Sequence, residues 1–319
     1  MNTDISSTEF KLCKGDTKPF LSVDQQLDLL KSRGLIVRDD ENAKDILRRT
    51  NYYRLSGYSL TLRENDMFHD GVSFDDLYEI YRFDDGFRRI ILTYSSNVEV
   101  AFRSFVAYNH ARNYGPLGYM DADNFENSNY HKTFIAKITE EVSRSDDIFV
   151  YHHRKDLNCV FPIWAVIECS SFGDLSKLYK NLKAEDRTFI SKNEYGVSRE
   201  YIENWLQAIV SARNIAAHAG RFYNRRFKSV RVKLPKKLKR VIWSDSAFAI
   251  VYAIHRLQPT EALAKALRKD LSDLISKYPI ADKAQLGICD DWEDLLISNT
   301  TKYQLGTRNK KTDPRSKGF

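Results

Sequence analysis

Apolar residues recur at three- and four-residue steps along most of this chain, and that spacing predicts helices throughout. Ser22 and Gln25 form a capping-box pair opening a helix through about Arg33, with Leu27, Leu29 and Leu30 inward and Gly34 as its stop. A short helix follows at about 41–50. Ser73 caps a long helix to about Asn113, striped by Leu77, Ile80, Phe87, Ile91, Tyr94, Val98, Phe102 and Phe105 and broken by Tyr114-Gly115-Pro116. Further helices are expected at about 130–144 (Phe134, Ile138, Val142) and at 162–182, the latter with Pro162 in its first turn. Ser198 and Gly220 bracket one over 199–218, Gly220 as the left-handed residue after its end. Two more fall at 246–257 and 260–277, divided at Pro259, before a last short segment opening at Asp291-Trp292-Glu293.

The fold class is therefore all-α. The expected organisation is a loose arm over 1–17, an N-terminal helical unit over 18–72 and a helical bundle over 73–222. A basic segment with a C-terminal helical unit covers 223–298, and a disordered basic tail covers 299–319. The 319 residues suffice for a sizeable core, and a hydrophobic fraction of 42% suits a folded globular chain. No apolar run is long enough for a membrane span, and the first residues, with Asp4 and Glu9, do not form a secretory leader. Four scattered cysteines (Cys13, Cys159, Cys169, Cys289) lack metal-ligand spacing and fit a reducing cytoplasm. No Walker loop, dinucleotide fingerprint or internal repeat occurs, so neither cofactor nor metal is expected.

Two charges interrupt the apolar stripes. Arg213 continues the line of Ile202, Trp205, Leu206, Ile209, Ala212 and Ala216, and a guanidinium there needs an anionic partner or an opening to a cleft. Glu168 lies four after Trp164, on the inner side of its predicted helix. Its partner is Arg213, or else a backbone group or tyrosine hydroxyl. His218 follows Arg213 by five, about 140° around an ideal helix, so one site can use both only at the rim of the helix end. The bland alternative is a core-edge ion pair and a histidine favoured by the helix dipole. Arg103 and His110 could form a second such pair, but Glu99 four before Arg103 fits an ordinary ion pair. His152-His153-Arg154 reads as a basic, irregular connection without a third metal ligand.

Net charge is only +7, so its distribution matters more than its sum. Residues 221–240 hold ten cations and no acid: Arg221, Arg225, Arg226, Lys228, Arg231, Lys233, Lys236, Lys237, Lys239 and Arg240. Phe222, Tyr223 and Phe227 are interleaved, a composition that fits phosphates and exposed bases. Tyr52, Tyr53 and Arg54, within Asn51–Tyr58, are either a second platform for single-stranded RNA or an aromatic docking patch.

Several stretches together resemble the abortive-infection (Abi) proteins of the AbiD/AbiF type. They are Lys18-Pro19 with the helix that follows, Asn51-Tyr52-Tyr53-Arg54-Leu55-Ser56-Gly57-Tyr58, Pro162-Ile163-Trp164 with Glu168, Ser171-Phe172-Gly173-Asp174-Leu175-Ser176, and Arg213-Asn214-Ile215-Ala216-Ala217-His218-Ala219-Gly220-Arg221. The resemblance covers roughly 18–298. It implies a HEPN-like helical bundle with N- and C-terminal helical extensions, and a ribonuclease motif of Arg and His. By matching positions, Arg213 and His218 would be catalytic, with Asn214 as the motif's polar second position and Glu168 as the family's helix carboxylate. It also implies a homodimer that completes the site, and a small structured non-coding RNA as partner in a toxin–antitoxin-like arrangement. The expected activity is metal-independent RNA cleavage giving 2′,3′-cyclic phosphate and 5′-hydroxyl ends. The competing readings are a non-catalytic RNA-binding protein partnering a small RNA, and a protein-interaction bundle with an incidental charged segment.

Overall fold

The computed structural model describes residue 15 and residues 17–298; the arm before residue 15 and the expected disordered tail lie outside the described residues. Thirteen α-helices carry the described chain, with one two-stranded hairpin, so the fold is all-α. The chain divides into two compact units, Met1–Tyr78 and Glu79–Phe319.

In the first unit α1 (Val23–Ser32) opens on the expected capping box: Ser22 Oγ accepts from the Gln25 N–H at 3.2 Å, and Gln25 Oε1 accepts from the Ser22 N–H at 2.9 Å. It packs on α2 (Asp40–Thr50), which is capped by Asp39. Leu27, Leu30, Ala43, Ile46 and Leu47 are buried. Asn51, at φ +64°, turns the chain into α3 (Tyr52–Ser56). The hairpin β1 (Arg63–Glu64) and β2 (Met67–Phe68) follows, turning through Asn65 and Asp66 in positive φ.

α4 spans Phe74–Tyr114, and the boundary between the units falls inside it. Ser73 Oγ caps it through the Asp76 N–H at 3.2 Å, and the Asp76 carboxylate returns a bond to the Ser73 N–H at 2.8 Å. The predicted stripe is buried except for half-buried Phe105, and Phe83, not anticipated, joins it. In the second unit Phe102 stacks on Tyr195 at 5.6 Å and meets Tyr179 edge-on at 5.2 Å.

Next come α5 (Ser128–Arg144) and α6 (Ile148–Asp156). α6 corrects the expected irregular connection: His152, His153 and Arg154 are helical. The single helix expected at 162–182 is also corrected. It is α7 (Ile163–Val166), a 3₁₀ turn at Ile167–Cys169, an extended Ser170 and then α8 (Phe172–Asn181). Ser171 starts α8 by accepting from the Asp174 N–H, which a continuous helix would not allow. α9 (Ala184–Tyr195) leads to α10 (Arg199–Ala217), which packs on α8, α9 and α11 (Ala247–Arg256). α11 is buried on all sides from Ala247 to His255, as befits a central helix. α12 (Glu261–Lys277), capped by Thr260, and α13 (Trp292–Ile297) complete the unit.

Candidate functional site

The apolar stripe of α10 buries Ile202, Trp205, Leu206, Ile209, Ala212 and Ala216 as the spacing predicts. Arg213 emerges half-buried at its edge and donates to its neighbour Asn214 Oδ1 at 3.2 Å. His218 is the C-terminal cap of α10, with an exposed side chain. The helix closes in a Schellman arrangement: the Ala219 N–H donates to Ala216 O and the Gly220 N–H to Ile215 O, at 3.0 and 2.7 Å. The left-handed residue is Ala219, at φ +53°, not Gly220 as the sequence led us to expect. Gly220 is required for a different reason. A Cβ there would stand 2.7 Å from Ile215 Cγ2 and 3.0 Å from Ile215 O.

Immediately downstream the chain is gripped by a residue that sequence reasoning missed. The Asp84 carboxylate of α4, wholly buried, accepts the backbone N–H of Phe222 at 3.0 Å and of Tyr223 at 2.8 Å. Arg88, also buried, balances it at 2.6 Å and reaches on to Asp85 at 2.8 Å. The only sequence signal was a pair of acids followed by Arg at helical spacing, which reads as a surface ion pair.

Glu168 does not meet Arg213. It sits on the 3₁₀ turn and pairs with Arg103 at 3.6 Å, while Arg103 also bonds Glu99 Oε1 at 2.6 Å and Ser170 O at 2.8 Å. The side that Glu168 shares with Trp164 was expected to face inward, but Trp164 is itself 53% exposed, so that side faces outward. Arg103 and Glu168 line a groove of about 610 Å³ with Tyr108, Arg112 and half-exposed Trp164. Arg103 and His110 do not form a second pair at that groove. His110 is fully buried, stacked on Phe125 at 5.1 Å, and burial holds its pKa below the usual histidine value.

The basic stretch is an irregular but tied-down strap. The Asn204 side chain donates to Arg231 O at 2.9 Å and accepts from the Lys233 N–H at 2.6 Å, and Trp205 Nε1 donates to Lys233 O at 2.8 Å. The Phe227 N–H and Val232 N–H bond Asp245 O and Ser244 O, each at 2.7 Å, closing the base of the strap. The interleaved rings are not stacking groups. Phe222, Tyr223 and Phe227 are buried, with Val232, Leu234, Leu238 and Ile242. The cations divide by what holds them. Arg226 pairs with Asp245 and covers Trp243, Arg225 covers Phe227 and Lys233 covers Tyr201. Arg221 is half-buried beside the helix end. Lys228, Arg231, Lys236, Lys237, Lys239 and Arg240 are exposed and form no ion pair among the described residues.

In the first unit Tyr53 is 86% exposed, half-buried Tyr52 accepts from Arg33 Nη1 at 3.4 Å, and Arg54 is half-buried while Tyr58 is interior. In α6 His152 pairs with Asp156 at 2.9 Å, and His153 meets Val160 O at 2.7 Å and stacks on Phe161. Among the described residues no three His, Cys, Asp or Glu side chains are placed to hold a metal ion, and no helix is long and apolar enough to cross a membrane.

Residues 45–224, more than half of the chain, match the family model described as Abi-like protein. The match contains the α10 end and the Asp84 clamp. No curated protein and no solved structure matches.

Proposed function

Because the chain belongs to the Abi-like protein family, whose name points to abortive infection and phage defence, we propose that it is a metal-independent endoribonuclease of that response. In this reading it binds RNA on the 221–240 strap and cuts it with Arg213 and His218. The observation that carries the proposal is a juxtaposition along the chain. A guanidinium with no ion pair among the described residues and an exposed histidine occupy one helix end, and an acid-free run containing six cations with no ion pair among the described residues begins within three residues.

RNA brings its own nucleophile. The 2′-oxygen attacks the adjacent phosphorus, the P–O5′ bond breaks, and the products are a 2′,3′-cyclic phosphate and a 5′-hydroxyl. One proton must leave the 2′-OH and one must reach O5′. A histidine titrates near neutrality and can serve at either end. The charge that builds on the phosphoryl oxygens suits a guanidinium fork, which is Arg213's part, with Asn214 fixing its angle. Residues five apart lie about 140° apart on an ideal helix, and His218 caps α10 just past its last residue. We therefore place the complete site between two chains of a homodimer, each giving one motif. Glu168 would act through Arg103 and the groove beside Trp164. A small structured RNA lying on the strap would keep the site occupied until release.

The test is cleavage of an end-labelled RNA in EDTA, with affinity followed over a salt series. We expect His218→Ala to slow cleavage by about a hundredfold to ten-thousandfold, with RNA affinity nearly intact. Cleavage by the variant at the parent's rate would remove the proposal. A parent that EDTA silences would remove the metal-free mechanism. Full activity in a species that light scattering finds monomeric would remove the shared site. The angular separation of Arg213 and His218 favours one second reading, an RNA-binding protein that does not cut. It predicts tight, salt-dependent binding and intact RNA after long incubation.

A further inference from the structure

His218 stands on a turn that its own sequence does not favour. The next residue, Ala219, holds φ +53°, a region that a residue with a Cβ avoids. Such a conformation persists where its surroundings over-determine it. Upstream, the two Schellman bonds supply part of that constraint. Downstream, the chain is seized two residues after Gly220, where the Asp84 carboxylate takes both the Phe222 and the Tyr223 N–H. Asp84 lies at 0% exposure, so its bonds are not exchanged for water, and Arg88 keeps its charge compensated. Phe222 and Tyr223 add their rings, Phe222 against Phe87 at 5.5 Å and Tyr223 against Phe83 at 6.2 Å. Four residues past the histidine, the chain has a fixed address on α4.

We propose that Asp84 is a positioning residue for His218: the Asp84–Arg88 pair clamps the 222–223 backbone and so holds the left-handed turn that aims the imidazole. This rests on the ribonuclease reading for its consequence in activity, though not for the clamp itself. Asp84 touches no substrate and transfers no proton. It acts through the backbone.

The experiment compares the full-length parent, Asp84→Asn, Ala219→Gly and the double variant, all at a temperature where each is folded by circular dichroism. Single-turnover cleavage and RNA affinity are measured separately, with amide hydrogen exchange at Phe222 and Tyr223. In Asp84→Asn we expect exchange at both amides to rise and the cleavage rate to fall about ten- to a hundredfold, the scale of a small misplacement of a reacting group, with affinity unchanged. Glycine adopts positive φ without a Cβ clash, so adding Ala219→Gly to Asp84→Asn should restore most of the rate. A merely structural Asp84 predicts neither the split between rate and affinity nor the rescue. An unchanged rate, a parallel loss of rate and affinity, or a double variant no faster than Asp84→Asn would each overturn the proposal. If Asp84→Asn does not fold, Arg88→Lys retains the charge but loses the fork to Asp84 and Asp85. It should show the same signature more weakly, and a parental rate and exchange would overturn the clamp. If the parent itself does not cleave RNA, the ribonuclease reading is what fails. The clamp is then decided by exchange alone, and unchanged Phe222 and Tyr223 amides in Asp84→Asn would end it.

Discussion

At the scale of single residues, the end of α10 shows how one glycine can be necessary for a reason unlike the one its sequence position advertises. Gly220 was expected to supply positive φ, and Ala219 supplies it. Gly220 instead makes room for Ile215. Gly220→Ala should therefore cost about 1–3 kcal/mol, the range for forcing extra atoms into packed space, read as a lower urea midpoint at constant slope. A midpoint equal to the parent's would show that Ile215 yields freely. Glu168 makes the opposite case. Its carboxylate is half exposed at 3.6 Å from Arg103, which also has Glu99 at 2.6 Å. We expect Glu168→Gln to change stability by less than about 1 kcal/mol, as for exposed pairs generally; a larger drop in melting temperature would mean that Glu168 is buried in an assembly of chains. Arg213 stands out in the sequence because a charge in an apolar stripe is locally anomalous, whereas His218 is marked only by its five-residue spacing from Arg213. Asp84 does not stand out, because Asp and Arg four apart on a helix look the same whether they face water or the core. What distinguishes Asp84 is two N–H groups 138 and 139 residues away.

At the scale of elements, periodicity located most helices and failed where a polar side chain competes with the helix for its backbone. The run 162–182 keeps its apolar spacing across Ser170-Ser171, yet Ser171 Oγ takes the Asp174 N–H and restarts the helix there. α9 has only a weak stripe, since buried Asp186 and Ser191 stand among its inward positions, and α6 ends in a cluster of basic residues that reads as a loop. The strap was the least legible element. Its charge was plain, but its attachment was not, because the anchors are the carbonyls and N–H groups of Arg231 and Lys233 held by Asn204 and Trp205. Two predictions belong here. Asn204→Ala removes both Asn204 bonds, so trypsin should cut within 228–240 faster than in the parent, and equal rates would show that the buried Val232, Leu234 and Leu238 suffice. Neutralising Lys236, Lys237, Lys239 and Arg240 together should flatten the salt dependence of RNA binding, each lost phosphate contact lowering the logarithmic slope by about 0.7–0.9. A slope equal to the parent's would place the RNA elsewhere.

At the scale of the whole molecule, the all-α class was legible because nearly every long segment repeats at helical spacing, whereas the interior of the second unit was not, since it hides histidines that the sequence makes look like surface residues. His255 is fully buried in α11, and its Nε2 lies 2.7 Å from Arg268 Nη1. A guanidinium only donates, so that nitrogen accepts and the ring is neutral. Burial, with Arg268 and Arg256 nearby, pushes its pKa from 6.5 down to about 3. His110 is shifted in the same direction, chiefly by burial, against opposing pulls from the Gly118 backbone and Asp186, with His131 adding the least. Both groups are harder to protonate when folded than when unfolded. Their contribution to stability is therefore complete above the unfolded value of 6.5 and is lost as the pH falls below it. The carboxylates with lowered values, such as Asp174, Asp245 and Glu200, act in the same sense but only near and below their ordinary values of 3.8 to 4.5. Between pH 6.5 and pH 4.5 the slope thus reports mainly the histidines. Each bound proton is worth about 1.4 kcal/mol per pH unit, so urea unfolding of the parent should lose stability in that window with a slope of about one proton from His255 and a further contribution of the same sign from His110. His255→Gln keeps an acceptor for Arg268 and removes one titrating group, so its slope should fall by about one proton. A parent whose stability is flat from pH 6.5 to pH 4.5, or a variant with the parent's slope, would show that His255 is not held neutral by the core.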